Sequence, residues 1–206
     1  MELQDMPFKD LCELTASDSP APGGGSVSAL VGALGASLSE MVASLTIGKK
    51  GYEDAVPEMK EAAQKLKTLR VKLLDLAQED TKSFNLFMDA LSLPKSTDEE
   101  KAARKKAMQE ALKKASLTPL EVAKTAAEVV PLASLMALRG NQNAVTDALV
   151  SAMCARTCVL GALLNVEINL KSIKDEAFVK DAQETVLLLR ENAIQAEARL
   201  LESVKI

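Results

Sequence analysis

The sequence has no histidine and no tryptophan in its 206 residues. The missing imidazole removes the commonest metal ligand and the commonest general base near neutral pH. Ser-His and Cys-His catalysis are therefore excluded, and no metal site is expected. Proton transfer is left to carboxylates, lysine, Tyr52, cysteine or water. Aromatic residues make up only 2%, so the core must be aliphatic and alanine-rich. Such a core favours closely packed helices over a sandwich of β-branched and aromatic strands. Basic excess is also lacking: the net charge of −4 argues against nucleic acid as a partner, because phosphate binding needs a basic surface. The three cysteines, Cys12, Cys154 and Cys158, are too few and too widely spaced for a disulfide framework, which fits a reducing cytoplasm. There is no basic segment leading into an apolar one, so no signal peptide is read. The longest uncharged run, Ser19–Ser39, opens on prolines and glycines that cannot continue a helix. It reads as a buried helix or helix contact and not as a membrane span.

What is present reads as helix almost throughout. The expected fold is all-α, a single-domain bundle of long helices over residues 1–206. Pro7–Thr15 is a short amphipathic helix, and a second helix runs from about Ser26 to Ile47 before the basic turn Lys49-Lys50-Gly51. A third starts near Asp54 or Val56, tolerates Pro57 in its first turn and reaches about Leu91. Thr97 to Glu100 has capping-box form and opens a charged helix to about Ala115. Thr118-Pro119-Leu120-Glu121 has the same form and predicts a new helix that Pro131 ends or kinks. After the polar Gly140-Asn141-Gln142-Asn143 loop a long apolar helix spans about 144–170, and Asp175 caps the last one. Helices apolar on most sides, such as 26–47 and 144–170, belong at the centre of a bundle or in a subunit interface.

The segment Pro20–Ser39 combines a triple-glycine loop with a helix start, so its backbone N–H groups can approach an anion or a carbonyl. It lacks the ending of a P-loop and has no preceding strand, so neither nucleotide motif applies. Asp80 interrupts an apolar seam of Leu69, Leu73, Leu76, Phe84, Phe87 and Leu91. A carboxylate there is either a general acid/base or a structural group capping a neighbouring helix or pairing with arginine. Asn143, Asp147, Ser151, Cys154, Cys158, Gly161, Asn165 and Asn169 form a small and polar stripe at helical spacing. Asp147, one turn beyond the Gly140–Asn143 loop, is its candidate for chemistry, whereas Asn143 can equally be a helix cap. Arg156 is a candidate partner for a carboxylate, and Cys154 with Cys158 reads as a buried apolar pair. Ser28, Gly32, Ala36, Ser39 and Ala43 form a strip of small residues that permits close approach of backbones, within one subunit or across a two-fold axis.

Four stretches, PAPGGGSVSALVGALGASL at 20–38, DTKSFNLFMDALSLPKSTDEEKAAR at 80–104, GNQNAVTDALVSA at 140–152 and NVEINL at 165–170, resemble the cyclodeaminase/cyclohydrolase family of folate one-carbon enzymes. The resemblance implies a free-standing all-helical cytoplasmic enzyme without the transferase domain of its animal members, and a homodimer. It implies formiminotetrahydrofolate cyclodeaminase activity, converting 5-formiminotetrahydrofolate to 5,10-methenyltetrahydrofolate and ammonia. The alternatives are methenyltetrahydrofolate cyclohydrolase and a non-enzymatic helical dimerisation or scaffold protein. Asp80 and Asp147 are expected to share two roles, stabilising the methenyl cation and giving a proton to the leaving ammonia, with Gly23, Gly24, Gly25, Ser26, Asn141 and Asn143 contacting substrate. Lys49 and Lys50 would meet the glutamate carboxylates of a reduced folate, with or without a polyglutamate tail. No cofactor is expected beyond that tetrahydrofolate derivative, which is the substrate.

Overall fold

Seven α-helices carry the apolar periodicity: α1 Phe8–Thr15, α2 Gly24–Thr46, α3 Val56–Ser92, α4 Asp98–Ala127, α5 Val129–Arg139, α6 Val145–Leu170 and α7 Glu176–Ser203. The structure is a computed structural model and describes residues 2–205, so Met1 and Ile206 of the expected 1–206 domain lie outside it. Among the described residues there is no strand, and the all-α expectation holds. Helix α2 lies at the centre, packed against α3 on one flank and α6 on another, with α4, α5 and α7 completing the bundle. Its alanines, Ala29, Ala33 and Ala36, sit in the main core with Leu66 and Leu73 of α3 and Val159 and Leu163 of α6. By length and composition, α2 and the Gln142–Leu170 segment could cross a membrane, yet about half of each window is buried in the bundle.

The strip of small residues explains how α2 and α6 come so close. Hypothetical Cβ atoms on Gly32 and Gly35 would stand 2.6 Å from the Cys158 Sγ and 2.9 Å from the Cys154 Cβ. Ser39 and Ser151 share a buried hydroxyl hydrogen bond of 2.7 Å, and Ser151 also donates to the Gly35 carbonyl at 2.6 Å. The strip is thus used within the subunit, and Cys154 and Cys158 are packing residues, the latter with its thiol pushed up to about 12 by burial.

Most helix ends follow local sequence signals. Thr97 and Glu100 form the expected capping box, and Asp175 accepts from the Phe178 N–H. Two boundaries differ. Helix α2 begins two residues earlier than expected, at Gly24. No helix starts at Thr118; α4 runs on through Pro119 to Ala127. Pro119 has no N–H to offer the Ala115 carbonyl. The Nδ2 of Asn169, from α6, donates to that carbonyl at 2.8 Å instead. Thr118 turns its hydroxyl to the Lys114 carbonyl and to Ser83 of α3, so it is no cap. The chain breaks at Glu128, and Pro131 falls in the tolerant first turn of α5.

Asn169→Ala is expected to destabilise the protein by about 1 kcal/mol, the net worth of a typical hydrogen bond. In a Pro119→Ala background the loss should shrink, because the new N–H can serve Ala115. A double-mutant cycle by denaturant unfolding measures this; equal losses in both backgrounds would contradict the pairing.

Candidate active site

Gly23 precedes α2 and has no side chain with which to cap it. The cap comes from α3. The Ser26 hydroxyl donates to Asp80 Oδ2 at 2.9 Å, and the Ser26 N–H bonds to the same carboxylate. Thr81 Oγ1 stands 3.1 Å from Ser26 Oγ. Gly25 is required by this arrangement: a Cβ there would lie 2.5 Å from Asp80 Oδ2 and 2.6 Å from its Cγ. The structural reading of Asp80, a carboxylate capping a neighbouring helix, is therefore what the geometry contains. Burial nevertheless pushes the Asp80 carboxyl above the usual aspartate range, against the opposing pull of the Ser26 bonds. Gly24 stands exposed at the helix start, with Asn165 of α6 beside it. One end of the bundle thus gathers the glycine loop, a half-buried carboxylate, two hydroxyls and an amide. Thr81 was not singled out in sequence; its only signal is its place next to Asp80.

The other expected residues gather at the opposite end. Gly48 and Gly51 have φ of 80° and 89°, backbone that other residues rarely adopt, and they hold Lys49 in a tight turn after α2. Lys49 Nζ donates to Asn141 Oδ1 at 2.5 Å and lies 5.7 Å from the Tyr52 ring centroid. Asn141 Oδ1 also accepts from the Asn143 N–H, while its own N–H and Nδ2 donate to Thr46 Oγ1 and the Leu45 carbonyl. Asn141 is therefore a buried structural cap, with both lone pairs of its amide oxygen and one of its two Nδ2 hydrogens engaged. Asn143 does not cap α6; it is exposed in a short 3₁₀ turn, and Lys50 is exposed too. Arg156 pairs with Glu197 of α7 at 2.9 Å, off the hydrogen-bonding direction, and meets neither Asp80 nor Asp147.

Asp147 is half-buried on the side of α6 that faces α2. Among the described residues, every other half-buried carboxylate is ion-paired or hydrogen-bonded, and Asp147 alone has no partner. The α2–α6 pair is antiparallel: Gly24 stands beside Asn165, Gly32 beside Cys158 and Ser39 beside Ser151. Continued at 1.5 Å per residue, that register puts Asp147 about 25 Å from Asp80. A group that moves a proton must reach its target at hydrogen-bond distance, directly or through one water. The two aspartates of one chain thus cannot act on the same reacting carbon. Surface cavities of 310–720 Å³ lie elsewhere, and neither aspartate lines any of those five.

Comparison with known proteins bears on what this arrangement serves. Residues 7–187 match the model of a family described as formiminotransferase-cyclodeaminase. The chain belongs to the formiminotransferase-cyclodeaminase family. Membership in this enzyme family displaces the scaffold reading. The methenyltetrahydrofolate cyclohydrolase of Methylorubrum extorquens is 40% identical over 92% of this chain and 91% of its own length. The formimidoyltransferase-cyclodeaminase of Sus scrofa is 34% identical over 97% of this chain, which spans only 37% of that longer relative. A crystal structure of formiminotetrahydrofolate cyclodeaminase from Thermotoga maritima superposes with a TM-score of 0.87, at 33% identity, over 98% of this chain and 96% of that one. The fold and the family expected from sequence are thus both met.

Proposed function

We propose that this chain is a methenyltetrahydrofolate cyclohydrolase, opening 5,10-methenyltetrahydrofolate with water to give 10-formyltetrahydrofolate. The observation that carries the reading is the cyclohydrolase relative, matched at 40% identity over nearly the whole of both chains. It reverses the preference for the deaminase formed on the sequence. Formiminotetrahydrofolate cyclodeaminase remains the second reading, favoured by the solved structure of that name at a TM-score of 0.87.

The chemistry suits a site without histidine. The methenyl carbon is part of a delocalised cation, so a carboxylate stabilises it and favours its approach. Water attacks that carbon while a carboxylate accepts its proton; the carbinolamine then breaks its bond to N5, which takes up a proton, and the formyl group stays on N10. The balance is one water consumed and one proton released. Asp80, held by two bonds from Ser26 and raised by burial, is the base of this step. Gly23, Gly24 and Gly25 offer backbone contacts to the pterin, whereas Lys49, engaged by Asn141, and exposed Lys50 stand at the far end of α2. The reading requires no cofactor besides the folate, a cytoplasmic setting and a homodimer. The test is absorbance of the methenyl chromophore. Purified protein should accelerate its loss from 5,10-methenyltetrahydrofolate and should not generate it from 5-formiminotetrahydrofolate. Appearance from the second substrate would favour the deaminase.

A further inference from the structure

Water attack on the methenyl carbon leaves a proton on Asp80, and the carboxylate must lose it before the next turnover. Histidine, the usual carrier of such a proton, is absent from the chain. Among the described residues, only Ser26 is hydrogen-bonded to the Asp80 carboxylate. The hydroxyls beside it have a direction, which follows from counting hydrogens. An ionised carboxylate only accepts, so the single hydrogen of the Ser26 hydroxyl points at Asp80 Oδ2, 2.9 Å away. Thr81 Oγ1 stands 3.1 Å from Ser26 Oγ, which has no second hydrogen to give. Thr81 is therefore the donor in that bond, and Ser26 accepts. The Thr81 hydroxyl has no other partner among the described residues, so its own lone pairs are open. Ser26 is fully buried and Thr81 half-buried. The three groups thus form one chain of hydrogen bonds, from the carboxylate through the interior to the surface of α3.

We propose that Ser26 and Thr81 carry the proton of the hydrolysis from Asp80 to solvent. A folate seated on the cap covers the open side of the carboxylate, and the buried hydroxyl remains as the way out. Protonation of Oδ2 reverses the two hydroxyls, so that Asp80 donates to Ser26, Ser26 to Thr81 and Thr81 to water. One hydrogen then passes along each of the three bonds. Asp80 ends ionised, both hydroxyls end as they began, and a water leaves as hydronium. No heavy atom has to move, and hydrogen bonds in such a chain strengthen one another. Neither hydroxyl touches the reacting carbon; both act through Asp80. This path presupposes the cyclohydrolase reading, which supplies the proton it moves.

The test is Thr81→Val, which keeps the shape of the side chain and removes its hydroxyl. Asp80 still accepts the first proton, so a single turnover with enzyme in excess should match wild type. Steady-state kcat should fall about tenfold, less than the ~10²–10⁴-fold expected for loss of the base itself. The ratio kcat/KM should hold, because it is set before the proton leaves. Imidazole added to the buffer should restore kcat, and Thr81→Ser should keep it. An unchanged kcat overturns the path, and so does a Thr81→Ser variant as slow as Thr81→Val. An equal fall in kcat/KM overturns it too, because that is the mark of a displaced Asp80. A second readout needs no folate. Exchange of the Ser26 hydroxyl proton with water, followed by NMR, should be slower in Thr81→Val than in wild type. Unchanged exchange overturns the path. If wild type turns over neither folate yet the exchange slows, the function fails and the proton path stands.

Discussion

Asp80→Asn is expected to lower turnover by about 10²–10⁴-fold, the usual contribution of a positioned acid/base, without lowering stability. Asparagine is as good a cap as aspartate. Its side-chain oxygen can therefore accept from the Ser26 N–H and hydroxyl as Asp80 does. The charge is a different matter. Burial is the largest influence on the Asp80 carboxyl and raises its pKa. Between the unfolded-state value of about 3.9 and the higher folded value, the native state binds more protons than the unfolded one. Stability from this group therefore falls as pH rises through that window and stays lower above it. Removing the charge abolishes that loss. Asp80→Asn should melt at or above the wild-type temperature near neutral pH, with the difference closing as pH falls towards 4. Calorimetry across that range, beside turnover, separates the two roles. A lower melting temperature at neutral pH would make Asp80 a structural group; near-normal turnover would remove it from the mechanism.

Gly25→Ala should also damage activity, by a different route. The added methyl group falls on the carboxylate itself, 2.5 Å from Asp80 Oδ2. Asp80 can retreat only by giving up the Ser26 bonds, and α2 can shift only by disturbing its packing with α6. Overpacking of this kind costs about 1–3 kcal/mol. The carboxylate would in addition be misplaced by about 1 Å, enough to cost about 10²-fold in rate. Gly23→Ala is the stability control, because its Cβ would meet nothing closer than the Pro20 carbonyl at 3.8 Å. Melting temperatures should fall for Gly25→Ala and hold for Gly23→Ala. An unchanged melting temperature and turnover for Gly25→Ala would show that the carboxylate is not fixed where it is described.

The sequence revealed faces and caps better than meetings. The Thr97–Glu100 box and the Asp175 cap are local, so their signals are complete within a few residues. Asp80 was visible as a break in an apolar seam, but its partner Ser26 is 54 residues away and nothing local names it. Pro119 misled for the same reason. A Thr-Pro-x-Glu signal that normally opens a helix is overridden by an amide from α6 that satisfies the carbonyl the proline leaves free. The small-residue strip announced close packing, but not whether its neighbour would be α6 or a second subunit. The separation of Asp80 and Asp147 within one chain was not legible, because helical spacing tells which residues share a face. It does not tell which ends of two antiparallel helices lie together.

In the proposed reaction a reduced folate is held against the Gly25–Ser26–Asp80 cap. A crystal structure with folinic acid, a stable reduced folate, tests it most directly. The pterin and its one-carbon group should appear at the start of α2, within hydrogen-bond reach of the Asp80 carboxylate. A folate bound instead in the 580 Å³ groove between α5 and α7, lined by Val130, Leu138 and Arg199, would contradict it.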